Sequence, residues 1–253
     1  MRNIVSALPQ LFLFFPLVHC APKDLTRAES SNSATAQQDV TADDAGEIFY
    51  CGGLNEPTIA TTGDIPDGPG FWITNFDTSS NVRYFLYENS RDTHPWKYLS
   101  VVPFGTAFVS VCPTWQGRIV RGTTETNLDG KSHNLGTWFT SSVAPNGWMW
   151  GGISFLEGCD GGGAVESTDG SNVTRACYKD LLTGAPSSAL AAKDTGTKVL
   201  GKLVGSAPNE AARDWELGKC SEKEVWINRG SSEGPVIKSS NGRLFFVFHK
   251  GRA

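Results

Sequence analysis

Short runs of β-branched and aromatic residues recur along this chain about every ten positions, separated by Gly, Pro, Asn and Asp. Phe71-Trp72-Ile73, Val82 to Tyr87, Thr106 to Val111, Arg118 to Val120, Gly152 to Leu156, Lys198 to Leu203, Val225 to Ile227 and Leu244 to Phe248 are the clearest. Runs this short cannot hold a helix of several turns. With turn residues between them, they make the pattern of an antiparallel sandwich or barrel. The 28 glycines reinforce this by interrupting every longer stretch. Only Thr174 to Leu182 and Ser187 to Lys193 read as helical, each stopped nearby by Gly184 or Gly196. The expectation is an all-β sandwich of about ten strands with short helices in a disulfide-braced loop region. No internal repeat and no second domain is visible.

The N-terminus reads as an address. Arg2 is a basic start, Leu11 to Val18 an apolar core, and Val18-His19-Cys20 a cleavage site before Ala21, so residues 1–20 are expected to be a signal peptide. The apolar run is far shorter than the roughly 20 residues that cross a bilayer. Residues 21–47, rich in Ser, Thr, Ala and Asp, bury too little to offset their ordering entropy and are expected to be a disordered spacer. That leaves residues 48–253 as one domain with a sizeable core. The full chain carries 22 basic and 26 acidic residues, and loss of Arg2 makes the mature net charge −5. This balance, with no Lys/Arg run, argues against nucleic acid and anionic membrane as partners. A secreted, extracellular monomer is expected.

Six cysteines occur, and cleavage after Cys20 would leave five, so one thiol should lack an intramolecular partner. No Cys-x-x-Cys spacing suggests zinc; neither metal nor cofactor is expected. Cys159 and Cys177, 18 positions apart, are expected to close a local bridge contributing about 3 kcal/mol. Cys51 and Cys220 are expected to form the long-range pair, leaving Cys112 over. Gly158-Cys159-Asp160-Gly161-Gly162-Gly163 echoes protease strings, but no papain-like nucleophile segment lies upstream and the trypsin-like serine is absent. It is expected to be a tight turn. Asn172-Val173-Thr174 is an N-glycosylation acceptor on a loop. His94, His133 and His249 show no pairing in the sequence and receive no role.

Between Val101 and Gly163 the chain strings together Val-Pro-Phe-Gly, Pro-Thr-Trp-Gln-Gly-Arg-Ile-Val-Arg-Gly-Thr, Leu-Gly-Thr-Trp-Phe-Thr and Ile-Ser-Phe-Leu-Glu-Gly. This order of pieces resembles the cleft region of thaumatin-like and osmotin-like proteins. The resemblance extends from Phe71 to Phe248 and is weak between Ala164 and Val225. It implies a thaumatin-like sandwich. The family's bridge between its first strand and its chain end would join the positions of Asp77 and His249, so this chain resembles a divergent, disulfide-poor member.

Some relatives bind or hydrolyse β-1,3-glucan, which needs two carboxyl groups roughly 5–9.5 Å apart. By motif position the family arginine falls on Arg121, and its acids fall on Trp138, Gly152 and Glu157; Asp160 lies nearby without a place in the pattern. With two acids replaced, no catalytic residue is assigned. Arg121, Trp138, Glu157 and Asp160 are expected instead to line a binding cleft; Trp115, Trp148 and Trp150 fall in the same region, and at least two of these four tryptophans are expected to fill the core rather than face a ligand. The resemblance implies a secreted, non-catalytic binder of a cell-wall polysaccharide or a host protein, of the kind of fungal elicitors perceived by plants. The alternative is a thaumatin-like β-1,3-glucan hydrolase using Glu157 and Asp160.

Overall fold

A computed structural model describes residue 51 and residues 56–78, 80–89, 91–228 and 234–253. The expected signal peptide, residues 1–20, and the spacer, residues 21–47, lie outside the described residues. Strand β1 (Ile59–Thr61) is followed by β2 (Gly70–Asn75), β3 (Val82–Glu88), β4 (Lys97–Val101), β5 (Thr106–Ser110) and β6 (Gln116–Gly122). A one-turn helix, α1 (Thr124–Asn127), leads to β7 (Trp138–Val143), β8 (Met149–Ser154), β9 (Gly161–Ser167) and β10 (Thr174–Cys177). A 3-10 turn at Ser187–Ala189 precedes β11 (Leu190–Ala192), β12 (Lys198–Leu200), α2 (Glu210–Leu217), β13 (Ile237–Ser239) and β14 (Arg243–Gly251). Ten of these strands hold four or more residues, in line with the all-β expectation.

Two sheets make the body: β1-β4-β3-β6-β7-β8-β13 and β10-β9-β14-β2-β5, with β11 and β12 a separate hairpin. Strand alternation directs one side of each sheet inward. In β7, Phe139, Ser141 and Val143 are buried while Trp138, Thr140 and Ser142 are half-buried; β14 alternates likewise over Arg243 to His249. The inward rings interlock, with Phe139 centred 4.0 Å from Phe248 and 5.2 Å from Phe246 and Tyr84 centred 4.3 Å from Phe248. Each such side chain contributes about 1.5–3 kcal/mol by leaving water, which is what holds the sheets together.

β14 runs parallel to β2, so the segments bearing Asp77 and His249 do meet. The Phe76 amide donates to the Phe248 carbonyl at 2.7 Å and the Phe76 ring lies 5.0 Å from that of His249. An aromatic contact stands where the resemblance implies a bridge.

Several local expectations are corrected. Thr174 to Leu182 is not helical: Thr174–Cys177 pairs antiparallel with β9, and sheet pairing overrides a weak helical pattern. Ser187 to Lys193 forms only a 3-10 turn and β11. Val225 to Ile227 contributes a single bridge, Trp226 to Ser154. The two-turn helix α2 was not anticipated, although Asn209 caps it by accepting from the Ala212 amide at 2.9 Å.

The disulfides also differ. Cys51 pairs with Cys112 and Cys177 with Cys220, while Cys159 is a buried free thiol. Thus neither the Cys159–Cys177 nor the Cys51–Cys220 bridge forms, and Cys112 is not left over. A bridge needs Cα atoms within about 7 Å. The β9–β10 register sets Cys177 opposite Gly163 rather than Cys159, and the turn after α2 brings Cys220 to it at a Cα separation of 5.7 Å. Closeness in sequence was the wrong guide because the hairpin register decides which residues face each other. The Gly-rich string is not one tight turn: the turn falls at Phe155 to Gly158, Cys159 bridges Leu200, and Gly161 to Gly163 open β9, with Gly158 at φ 103° and Gly161 at φ 151°. No disulfide staples it.

Candidate functional site

Beside β6 lies a polar concavity of about 440 Å³, within the span of roughly 300–1,000 Å³ usual for small-ligand sites. Its walls come from α1 (Thr126, Asn127), the loop before β7 (Ser132 to Leu135) and the β11–β12 turn (Ala192 to Thr195), with Lys202, Arg121, Gly122 and Ala253. A second hollow of about 290 Å³ shares Arg121, Gly122 and Ala253 with it.

Arg121 is 3% exposed. Its register partner on β3 is Tyr84, whose ring points inward, so Arg121 also enters the space between the sheets. Its Nη1 donates to the Asp160 carbonyl at 3.0 Å and stands 3.6 Å from Asp160 Oδ1, and Nη2 donates to the Gly162 carbonyl at 3.3 Å. The Asp160 carboxylate, 0% exposed, also accepts from Lys193 Nζ at 3.0 Å. A Cβ on Gly161 or Gly251 would collide with the Arg121 guanidinium, so both glycines are needed for this buried pair.

Trp138 lies on the opposite face of the same sheet. Three positions separate Arg118 from Arg121, so strand alternation sends them to opposite sides, and it is Arg118 that reaches Trp138. The Arg118 guanidinium sits 4.2 Å from the Trp138 ring centre and 4.8 Å from that of Tyr87, and is ion-paired with Asp92 at 2.8 Å. Trp138 Nε1 donates to the Asn134 carbonyl at 2.9 Å, and its ring is half-buried against Phe85, Tyr87 and Val120. Glu157 accepts from Lys202 Nζ at 2.7 Å at the protein surface. The structure therefore joins Arg121 to Asp160, places Glu157 beside Lys202, and keeps Trp138 away from Arg121; the four do not line one face.

Trp115 is a core residue, 0% exposed, donating from Nε1 to Ser141 at 3.0 Å. Trp148 and Trp150 remain half-buried, with Lys238 Nζ 4.7 and 5.6 Å from their ring centres. At position 152 the missing acid has a steric counterpart: a Cβ there would lie 2.6 Å from the Trp226 ring, which occupies that space.

Sequence reasoning missed two participants. For Arg118 the signal was present, in strand parity. For His133 it was not, because one of its partners is 61 residues away: its Nδ1 lies 2.5 Å from Asp194 and its Nε2 2.8 Å from Asp129. Burial pulls the His133 pKa down, but these carboxylates outweigh it and hold it above the ordinary value. Every cation of the concavity thus has a carboxylate partner: Arg121 and Lys193 share Asp160, Lys202 has Glu157, and His133 has two. What remains for a ligand is hydroxyl, amide and backbone chemistry.

A grouping of Cys51, Glu88 and Cys112 has metal-like proximity, but its two sulfurs are bonded to each other. Among the described residues no helix is long and apolar enough to cross a membrane. Asn172 is exposed, with φ 54°, in the β9–β10 turn.

No protein-family model matches the chain, and no curated protein matches it in sequence. Among solved structures it is similar to a thaumatin-like xylanase inhibitor, with 13% identity and a TM-score of 0.39, over 72% of this chain and 99% of the inhibitor. It is also similar to a laminaripentaose-producing β-1,3-glucanase in complex with laminaritetraose, with 14% identity and a TM-score of 0.34, over 62% of this chain and 57% of the enzyme.

Proposed function

We propose that the protein is a secreted, thaumatin-like, non-catalytic binder of a neutral cell-wall glycan, held in the concavity beside β6. The observation that carries this is the pairing of every cationic side chain lining that concavity with a carboxylate. An anionic ligand would have to displace a carboxylate from Arg121, Lys193, Lys202 or His133. A neutral polyol needs only donors and acceptors left over, among them the Ser132 hydroxyl and the Asn134 side-chain NH2, since the Asn134 side-chain oxygen already accepts from Arg118.

The same pairing speaks against hydrolysis. A glycosidase needs two carboxyl groups facing one gap, one able to give up a proton. Here Asp160 is buried between two cations and Glu157 is paired on the surface. Positions 138 and 152 carry Trp and Gly.

The test incubates purified mature protein with a panel of cell-wall glucans and chitin, scoring binding and reducing-sugar release separately. Retention on at least one neutral glycan is expected, with release no greater than that of a Glu157→Gln control. Release that disappears in Glu157→Gln would transfer the function to the hydrolase alternative. Absence of retention on every glycan would remove the glycan reading and favour a protein partner.

A further inference from the structure

We propose that His133 is a proton-operated clasp that fastens the β11–β12 turn across the concavity to the loop before β7. Both ring nitrogens face carboxylate oxygens, Nδ1 that of Asp194 at 2.5 Å and Nε2 that of Asp129 at 2.8 Å. Only the imidazolium can donate from both nitrogens; a neutral ring turns one lone pair toward a carboxylate. Asp129 belongs to the same loop as His133, so its contact is local. Asp194 belongs to the turn on the facing wall, and its contact spans the site. Proton loss therefore turns one of the two attractions into a repulsion, and Asp194, with its side chain 67% exposed, is the partner able to swing away.

The surrounding charges leave this exchange to His133. Lys131 lies 3.9 Å from Asp129 and is largely exposed. Lys193, adjacent to Asp194, is held by Asp160, and Lys202 on the same wall is held by Glu157. With its pKa raised, His133 keeps the clasp shut in acid and releases it as pH rises through that value. Opening would loosen the wall formed by Lys193 to Thr195. The inference bears on regulation of the proposed glycan site, but the clasp itself requires no ligand.

The experiment uses isotopically labelled protein without glycan, so its outcome is independent of the binding proposal. Nuclear magnetic resonance follows the His133 ring through a pH titration, alongside hydrogen exchange of the Lys193 and Gly196 amides. These amides donate within the turn to the Thr197 and Lys193 carbonyls. Expected are a midpoint above the ordinary imidazole value of about 6.5 and a protection factor, corrected for intrinsic exchange, that falls about fivefold above it, the scale of one partly exposed ion pair. Asp194→Asn should lower the midpoint, and His133→Gln should fix the turn at the low protection at every pH. A midpoint at or below 6.5, or turn protection indifferent to pH in the wild type, overturns the proposal.

Discussion

At Arg121 and Asp160 the chain buries opposite charges where a sandwich would ordinarily place apolar side chains, and Lys193 completes the cluster from the hairpin. Removing one member leaves the others uncompensated in a region of low dielectric, which typically costs about 3–5 kcal/mol. Asp160→Asn, which preserves shape, should lose that much in urea denaturation. Trp138→Ala, on the half-exposed outer face, should lose less than the roughly 3–5 kcal/mol of a fully buried aromatic. Equal losses would mean that Trp138 is a core residue. Glu216 supplies a second test. It is 0% exposed, neither side-chain oxygen has a hydrogen-bond partner among the described residues, and burial holds its pKa well above the ordinary 4.5. Above pH 4.5 the unfolded chain releases this proton while the folded protein keeps it, so stability should fall with rising pH by up to about 1.4 kcal/mol per unit until the folded value is reached. Glu216→Gln should remove that slope, and an unchanged slope in pH-dependent denaturation would assign it to another group. Of the four residues expected to line a cleft, Arg121 lines the concavity, whereas Trp138, Glu157 and Asp160 are not in its lining. Motif order lists Arg121 and Trp138 together, whereas strand parity, also present in the sequence, sends them to opposite faces.

Among the elements, the strands were readable because β-branched runs bounded by Gly and Asn leave few alternatives; β2, β3, β6 and β14 each contain an anticipated run, and β5 holds all but the last residue of one. The region from β10 to α2 was not readable in the same way. Thr174–Cys177 becomes a strand because β9 offers it a ladder, and that partner is a tertiary fact. For α2 the local signals existed, with a capping Asn209, the acidic Glu210 in the first turn and Gly218 at the end. The bridge Cys177–Cys220 ties β10 to the end of α2 across 43 residues, a span for which loop-closure entropy amounts to about 3–4 kcal/mol. Peptide mapping without reduction should recover Cys51 joined to Cys112 and Cys177 joined to Cys220. Cys159 should be alkylated only after unfolding, since burial foremost, then the charge of Glu216, holds its thiol well above the ordinary pKa. A Cys159–Cys177 peptide would show that sequence proximity decides after all and would undo the β9–β10 register.

Over the whole molecule, the net charge of −4 and the internally closed charges of the concavity together predict how binding responds to salt. A ligand held by unpaired cations would lose affinity steeply as ions screen it, and a negative protein would add long-range repulsion to any anion. A neutral glycan should feel neither effect, because hydrogen bonds act at distances that a Debye length of about 10 Å at 0.1 M salt hardly alters. Calorimetric titration with a neutral oligosaccharide drawn from a retained glycan should therefore give dissociation constants agreeing within about twofold between 0.05 and 0.5 M salt. The concavity's ion pairs are themselves short and partly buried, so the same salt range should leave its shape intact. Affinity that falls tenfold or more would mean that a cation in the site is available to the ligand, contrary to the pairing of Arg121, His133, Lys193 and Lys202, and the ligand would then have to be sought among acidic glycans.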